Sequence, residues 1–325
     1  MLTPHAPMAS RGFVLLAIWS VLLSGCGGPG SESATTPNTP ELPTSTLTPL
    51  ATARASQTDD ACRDRPTGPT TVPYAELPAV DPDLTSVDVY LPAGCGPAPV
   101  VMWVHGGGWQ RGDKANGTIE QKAAWAASFG AALVSVNYRL STPGSGVMWP
   151  DHGEDVAAAV AWVQQRGSTV GLAGTSITLI GHSAGGHLVA IVATDPSLLT
   201  EAGADPANVS CVVALDASFD LADTPAQELI TDAFGADPDA IANASPTIAI
   251  ERNGPPSARF QVVTRGSPRR VDGARAFVDL VNNSGGSAEL VDATGYTHDE
   301  VNSRLGAPDD VLVTPAVTDF VRSCT

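Results

Sequence analysis

Three short stretches carry residue types able to do chemistry together. In "ITLIGHSAGGHLVA" (177–190) Ser183 stands between Gly181 and Gly185, where a run of β-formers meets small and apolar residues that read as helix. A serine hydroxyl serves as a nucleophile when a sharp strand-to-helix turn holds it clear of the backbone. Side chains two residues either side would collide with the neighbouring strand and helix. Gly-x-Ser-x-Gly recurs by chance in many chains, and it is the strand before and the helix after that give it weight here. "VMWVHGGGWQRGDKA" (101–115) sets His105-Gly106-Gly107-Gly108-Trp109 directly after another apolar run, where glycines let backbone N–H groups approach a developing oxyanion. "DATGYTHDEV" (292–301) places His298 just past a further run, downstream of the serine.

Elimination also points to His298 as the base. Of six histidines, His5 belongs to an export signal, His105 opens the glycine loop, and His182 and His187 flank the serine. His152 reads as a surface or helix-start residue.

These residues need a scaffold. "SVDVYL" (86–91) alternates apolar and polar residues, "PVVMWV" (99–104) and "AALVSV" (131–136) are continuous apolar runs, and later strand-like runs occur at 176–181, 209–215, 259–264 and 287–292. Helical patterns lie between several of them; Val156, Val160 and Val163 share a face and Gly167 sits where that helix stops. Strand and helix alternating over some 250 residues predict an α/β fold, a mostly parallel sheet covered on both faces, with sites at the carboxyl ends of its strands.

The N-terminal part reads differently. Arg11, an apolar run from Phe13 to Leu23 and then Leu23-Ser24-Gly25-Cys26 predict a cleaved signal over 1–25. Leu-Ser-Gly before a cysteine resembles the lipobox of bacterial lipoproteins, which implies acylation of Cys26. Residues 26–60, rich in Pro, Ser and Thr, read as a disordered tether, leaving 61–325 as the folded domain. The protein is thus expected to be exported and held to the outside of a bacterial membrane by an N-terminal lipid. A net charge of −17 argues against a nucleic-acid partner. Export favours disulfides among Cys62, Cys95, Cys211 and Cys324. Three pairings are open, and the placement of the strands favours Cys62 with Cys95 and Cys211 with Cys324.

With these motifs and the stretches "NYRL" (137–140) and "WPDHGEDVAAAVAWV" (149–163), residues 72–325 resemble an α/β-hydrolase of the esterase/lipase group with an HGGGW oxyanion motif, the group that includes hormone-sensitive-lipase-like and feruloyl-esterase-like members. The resemblance implies Ser183 as nucleophile, His298 as base, and the N–H groups of Gly107, Gly108 and Ala184 as oxyanion hole. The chain departs from the group at the acid. After "RFQVVTRG" (259–266) the slot where relatives carry aspartate reads Ser267-Pro268-Arg269-Arg270-Val271-Asp272. Asp272 is the nearest carboxylate and is taken as the acid, with a helix N-cap as its competing role. Asp216, at the end of the 209–215 strand, is the alternative.

The expected reaction is two-step acyl transfer on a small carboxylic ester, with no metal or cofactor implied. Alternatives are a peptidase or amidase of the same fold, or a non-catalytic surface-binding lipoprotein, which the displaced acid makes credible. The stretch Asp223–Ser257 holds no long insert, so an open pocket is expected. Trp109, Met148, Trp149 and Phe219 are candidates to line it, although core packing is the expected role of any one of them.

Overall fold

Strand-forming runs assemble into a sheet whose strands stand in the order β1-β2-β4-β3-β5-β6-β7-β8. The structure, a computed structural model, describes residues 68–324 apart from 225–226; Cys26, Cys62 and the whole of the proposed signal and tether lie outside the described residues. The strands are β1 (Thr70–Pro73), β2 (Ser86–Tyr90), β3 (Val100–Val104), β4 (Ala132–Val136), β5 (Ile177–His182), β6 (Val209–Leu215), β7 (Arg259–Thr264) and β8 (Ala288–Asp292). The first two pairings are antiparallel and every pairing from β4 to β8 is parallel. Seven strands fall where the hydrophobic runs predict them. β1 is the addition, a four-residue edge strand ending in Pro73, whose missing N–H an edge tolerates.

The helices are α1 (Ile119–Ala127), α2 (Asp151–Arg166), α3 (Ala184–Thr194), α4 (Pro196–Glu201), α5 (Gln227–Phe234), α6 (Pro238–Asn243), α7 (Pro246–Asn253), α8 (Pro268–Asn283), α9 (His298–Ser303) and α10 (Val313–Arg322). Strand side chains alternate between two apolar layers. On one face Val100, Met102, Val104 and Leu179 meet Val156, Val160 and Val163 of α2, Leu188 and Ile191 of α3, and Phe277 of α8. On the other, Val101, Trp103, Ile180 and Val213 meet Trp125 of α1 and Val317 and Phe320 of α10. Each such side chain removed from water contributes about 1.5–3 kcal/mol, so a strand buried on both faces anchors the loop at its carboxyl end.

His152 stands at a helix start, as expected, but not at the surface: it is fully buried in the first turn of α2, its Nε2 2.9 Å from Ser141 Oγ, and burial lowers its pKa to about 4. It packs near Tyr138 and Phe234 and is neither a surface residue nor near Ser183 in the lining of that residue's cavity. Asp223–Ser257 holds three short helices, α5 to α7. The Cys211–Cys324 disulfide is present as expected, joining β6 to the residue just beyond α10 with Cα atoms 6.1 Å apart. Cys95 is disulfide-bonded too, while Cys62 falls among residues not described.

Candidate active site

Ser183 occupies the turn between β5 and α3 with φ 55° and ψ −118°. Such a backbone costs a non-glycine residue on the order of 1–3 kcal/mol and persists only where its surroundings enforce it. Here Ser183 N donates to Leu215 O (2.9 Å), and His187 N donates to Ser183 O (3.0 Å). A Cβ on Gly185 would stand 2.2 Å from Val104 O, and one on Gly181 2.2 Å from Gly185 O. Neither position admits any side chain, which is the steric reason for Gly-x-Ser-x-Gly at this turn.

The glycine loop leaves β3 beside that turn. A Cβ on Gly106 would lie 3.2 Å from Ser183 Cβ, so the two backbones are in contact. Gly107 (φ 121°) and Gly108 (φ 64°) bend the chain back, with Gln110 N and Arg111 N donating to Gly107 O at 3.3 and 3.2 Å. His105 is spent on holding this loop. Its ring stacks on Tyr138 at 4.5 Å, its Nδ1–H donates to Gly106 O at 2.8 Å, and burial lowers its pKa. Gly107, Gly108, Ser183 and His298 line one cavity of about 560 Å³, and Ala184 is the buried first residue of α3.

His298 is the first residue of α9. A capping box fixes that helix: Glu300 N donates to Thr297 Oγ1 (3.2 Å) and Thr297 N donates to Glu300 Oε2 (2.8 Å). The ring's Nδ1–H donates to Asp216 Oδ2 at 2.5 Å. From below, His182 Nε2–H donates to the His298 carbonyl at 2.9 Å. Burial, aided by the neighbouring His298, lowers the His182 pKa to about 4, so it acts as a neutral donor.

Asp216 directly follows β6 with φ 48°, and its N–H donates to Val263 O at 2.7 Å. Its side chain is fully buried. Arg265 Nε donates to Oδ2 (2.6 Å), and Arg270 Nε to Oδ1 (2.5 Å). Burial alone would push this carboxyl up, but the His298 hydrogen bond and the Arg270 and Arg265 guanidiniums outweigh it and hold the pKa at about 2. Asp216 is therefore ionised throughout the neutral range.

Asp272 is not brought to His298. The helix after β7 begins at Pro268, with Ser267 as N-cap, because proline suits the first helical position where no N–H is needed. Asp272 consequently falls inside α8, exposed, neither partner of the histidine nor cap of the helix. Of the residues considered for the pocket wall, Trp109 and Phe219 are buried in the core, in line with core packing, and Met148 and Trp149 are not among the residues lining the cavity. Trp103 and Leu229 of α5, the latter packed over Gly108, line it with apolar surface, and Gln110, Asn116, Asp299 and Asn302 add polar groups.

Behind the cavity Lys122 is fully buried on α1. Its Nζ donates to Thr118 Oγ1 (2.7 Å) and Asn302 O (3.0 Å) and lies 4.6 Å from the Trp103 ring centroid. Burial lowers its pKa to about 7. Sequence reading passed over both this lysine and Leu229. Among the described residues no group of His, Cys, Asp and Glu is arranged to hold a metal ion.

Comparison with known proteins gives a consistent picture. The BD-FAE family model matches residues 87–262, more than half of the chain. Esterase LipC of Mycobacterium tuberculosis is 32% identical over 201 residues, 56% of this chain and 48% of LipC. Carboxylesterase NlhH of the same organism is 30% identical over 229 residues, 65% of this chain and 69% of NlhH. The chain spans about half the length of LipC and less of the esterases LipM and LipI. Among solved structures, a truncated carbohydrate esterase from gut microbiota superposes with TM-score 0.64 at 19% identity, over 80% of this chain and 97% of that one. Esterase 2 of Thermogutta terrifontis gives TM-score 0.64 at 20% identity, over 79% and 94%. Both share the α/β-hydrolase fold described above.

Proposed function

The chain belongs to the BD-FAE family, and from that premise we propose that it hydrolyses carboxylic esters through a Ser183–His298–Asp216 relay. The observation that carries the reading is the grouping of three side chains at the carboxyl ends of β5, β6 and β8. A hydroxyl on a strained turn shares a cavity with an imidazole whose far nitrogen is bonded to a buried, ionised carboxylate. His298 takes the Ser183 proton as the hydroxyl attacks the ester carbonyl, and Asp216 stabilises the imidazolium that forms. The N–H groups of Gly107, Gly108 and Ala184 receive the oxyanion. His298 returns the proton to the leaving alcohol, and water then releases the acid by the same steps.

Asp216 beside His298 removes the reason for a non-catalytic reading, since the displaced acid has a replacement. The protein is further proposed to be exported and lipid-anchored through Cys26, on the strength of Leu23-Ser24-Gly25-Cys26. Mass spectrometry of the mature N-terminus tests that part; an unacylated terminus elsewhere refutes it.

The test of activity is p-nitrophenyl acetate turnover with fluorophosphonate labelling. Wild type is expected to turn over and take one label at Ser183. Ser183→Ala is expected to lose both, with kcat down by about 10⁴-fold or more. Turnover by a folded Ser183→Ala protein overturns the assignment.

A further inference from the structure

The turn after β7 and the first turn of α8, where the resemblance leads one to expect an acid, carry Arg265, Arg269 and Arg270 instead. Arg269 faces outward and pairs with Asp223 at 2.7 Å. The other two turn inward. Arg265 Nε holds Oδ2 of Asp216 at 2.6 Å; Arg270 Nε holds Oδ1 at 2.5 Å while its Nη2 donates to the Asp216 backbone carbonyl at 2.9 Å. With His298 on Oδ2, both carboxylate oxygens are engaged and the side chain has no exposed surface.

A carboxylate turns about two single bonds, and one histidine at one oxygen leaves its plane undetermined. Donors fixed on both oxygens determine it. Asp216 enters the site from the end of β6 in a left-handed backbone conformation, so nothing in an extended strand geometry aims it either. We infer that Arg265 and Arg270 are positioning residues for the hydrolytic relay, which hold the Asp216 carboxylate aimed at His298 Nδ1 and set the pH at which the relay begins to work. The inference rests on the Ser183–His298–Asp216 reading. In this arrangement the turn after β7 and the first turn of α8 supply cations that orient an acid delivered from β6.

The second half of the inference follows from charge. The groups facing the Asp216–His298 pair are Arg265 from the β7–α8 turn, Arg270 from the first turn of α8, His182 of β5, Lys122 of α1 beyond His182, and Asp299 next to His298 on α9. Of these, the two guanidiniums bond to the carboxylate itself and share its negative charge. Removing one leaves more of that charge to hold a proton on the imidazole, so the protonated, inactive base persists to higher pH. Loss of orientation separately lowers the plateau rate. A merely structural arginine would lower the melting temperature and leave the position of the acid limb unchanged.

The experiment compares kcat and KM for p-nitrophenyl acetate between about pH 4.5 and 9, with melting curves, for Arg270→Gln, Arg270→Lys and Arg265→Gln. Arg269→Gln and Asp216→Asn serve as controls. Arg270→Gln is expected to lose about ten- to a hundredfold in plateau kcat with KM within about twofold, and to move its acid limb up by about 0.5–1 pH unit. Arg265→Gln should follow in the same direction. Arg270→Lys, which keeps the charge but not the planar fork, should restore the limb more fully than the plateau. Arg269→Gln should match wild type. If folded Arg265→Gln and Arg270→Gln keep the wild-type plateau and limb while Asp216→Asn is inactive, the positioning role is refuted and the relay stands. If Asp216→Asn itself turns over like wild type, the relay is refuted. Should Arg270→Gln not fold, Arg265→Gln and Arg270→Lys decide the matter by the same two readouts.

Discussion

Asp216→Asn is the substitution that most directly probes the site, because it keeps the shape of the side chain and removes its charge. Three donors converge on this carboxylate: His298 Nδ1 (2.5 Å) and Arg265 Nε (2.6 Å) on Oδ2, and Arg270 Nε (2.5 Å) on Oδ1. An amide offers one acceptor oxygen and one NH₂, so at least one donor must face another donor. With the amide oxygen at the Oδ2 position, His298 keeps its bond but its imidazolium has no counter-charge. With the amide reversed, His298 faces NH₂ and is driven to the tautomer whose proton points at Ser183, which cannot act as a base. Either outcome should cost up to about 10⁴-fold in kcat, or about 5.5 kcal/mol at 1.36 kcal/mol per factor of ten. The two guanidiniums, left against a neutral partner, also cost stability. Their side chains are 23% and 33% exposed, so water screens much of that cost. A drop of about 1–2 kcal/mol is expected, which is a few degrees in a domain of this size. Steady-state p-nitrophenyl acetate hydrolysis at pH 8, beside melting curves, makes the comparison with Asp272→Asn, for which no change in kcat is expected. A folded Asp216→Asn protein within about tenfold of wild-type kcat would refute the reasoning, as would an equal loss in Asp272→Asn.

Other consequences are open to simple measurement. Lys122, with its pKa lowered from 10.5 to about 7 by burial, binds a proton in the unfolded chain that it sheds in the folded one between those values, so its penalty is greatest below pH 7 and fades as pH rises towards 10.5. The full gap corresponds to on the order of 4–5 kcal/mol, offset in part by the bonds to Thr118 and Asn302. Lys122→Met should therefore melt higher than wild type at pH 6, with the difference shrinking by pH 9; a constant difference would count against a charged buried amine. Cys324→Ser opens a bridge spanning 113 residues and should lower stability by about 3–5 kcal/mol under oxidising conditions, with an unchanged melting temperature as the contrary result. Gly185→Ala, whose Cβ would stand 2.2 Å from Val104 O, should destroy activity. Gly273→Ala, with open space around it in α8, should leave kcat unchanged and raise stability by about 0.5–1 kcal/mol. The reverse ranking of these two glycines in a side-by-side assay would discredit the steric reading.

The strands and the nucleophile turn were legible because they obey local rules. Burial on both faces writes itself as unbroken apolar runs, as at β3 and β5, and a backbone contact as close as that of Gly185 leaves no residue choice but glycine. β1 is too short and too exposed to show a period. That Asp216, the alternative, and not Asp272 meets His298 was hidden for a non-local reason: the partner of His298 is decided by which strand end faces α9. The signals for Asp216 were nevertheless present. It is the first ionisable residue after a long buried run, and the turn and helix start that pair with it in space hold three arginines. Ser267-Pro268 likewise marked the start of α8 and so excluded Asp272 as its cap. Trp109 and Phe219 show the limit of composition, since an aromatic near a site by sequence is as readily core as wall.

The contact between the nucleophile turn and the glycine loop bears on how this protein can be re-engineered. Gly185 rests on the Val104 and His105 carbonyls, and Gly106 on the His182 carbonyl with His182 Nδ1 and Ser183 Cβ beside it, so neither glycine leaves room for a side chain of its own. The two loops therefore form a single rigid part, and a library that randomises either one samples mostly broken catalysts. Room for a different substrate has to come from pieces that touch this part lightly. The outer side chains of α5 are such pieces: Leu229 lies over Gly108 and Asp232 accepts one exposed hydrogen bond from Gln110, so both can be exchanged while Phe234 of the same helix stays packed on Trp109.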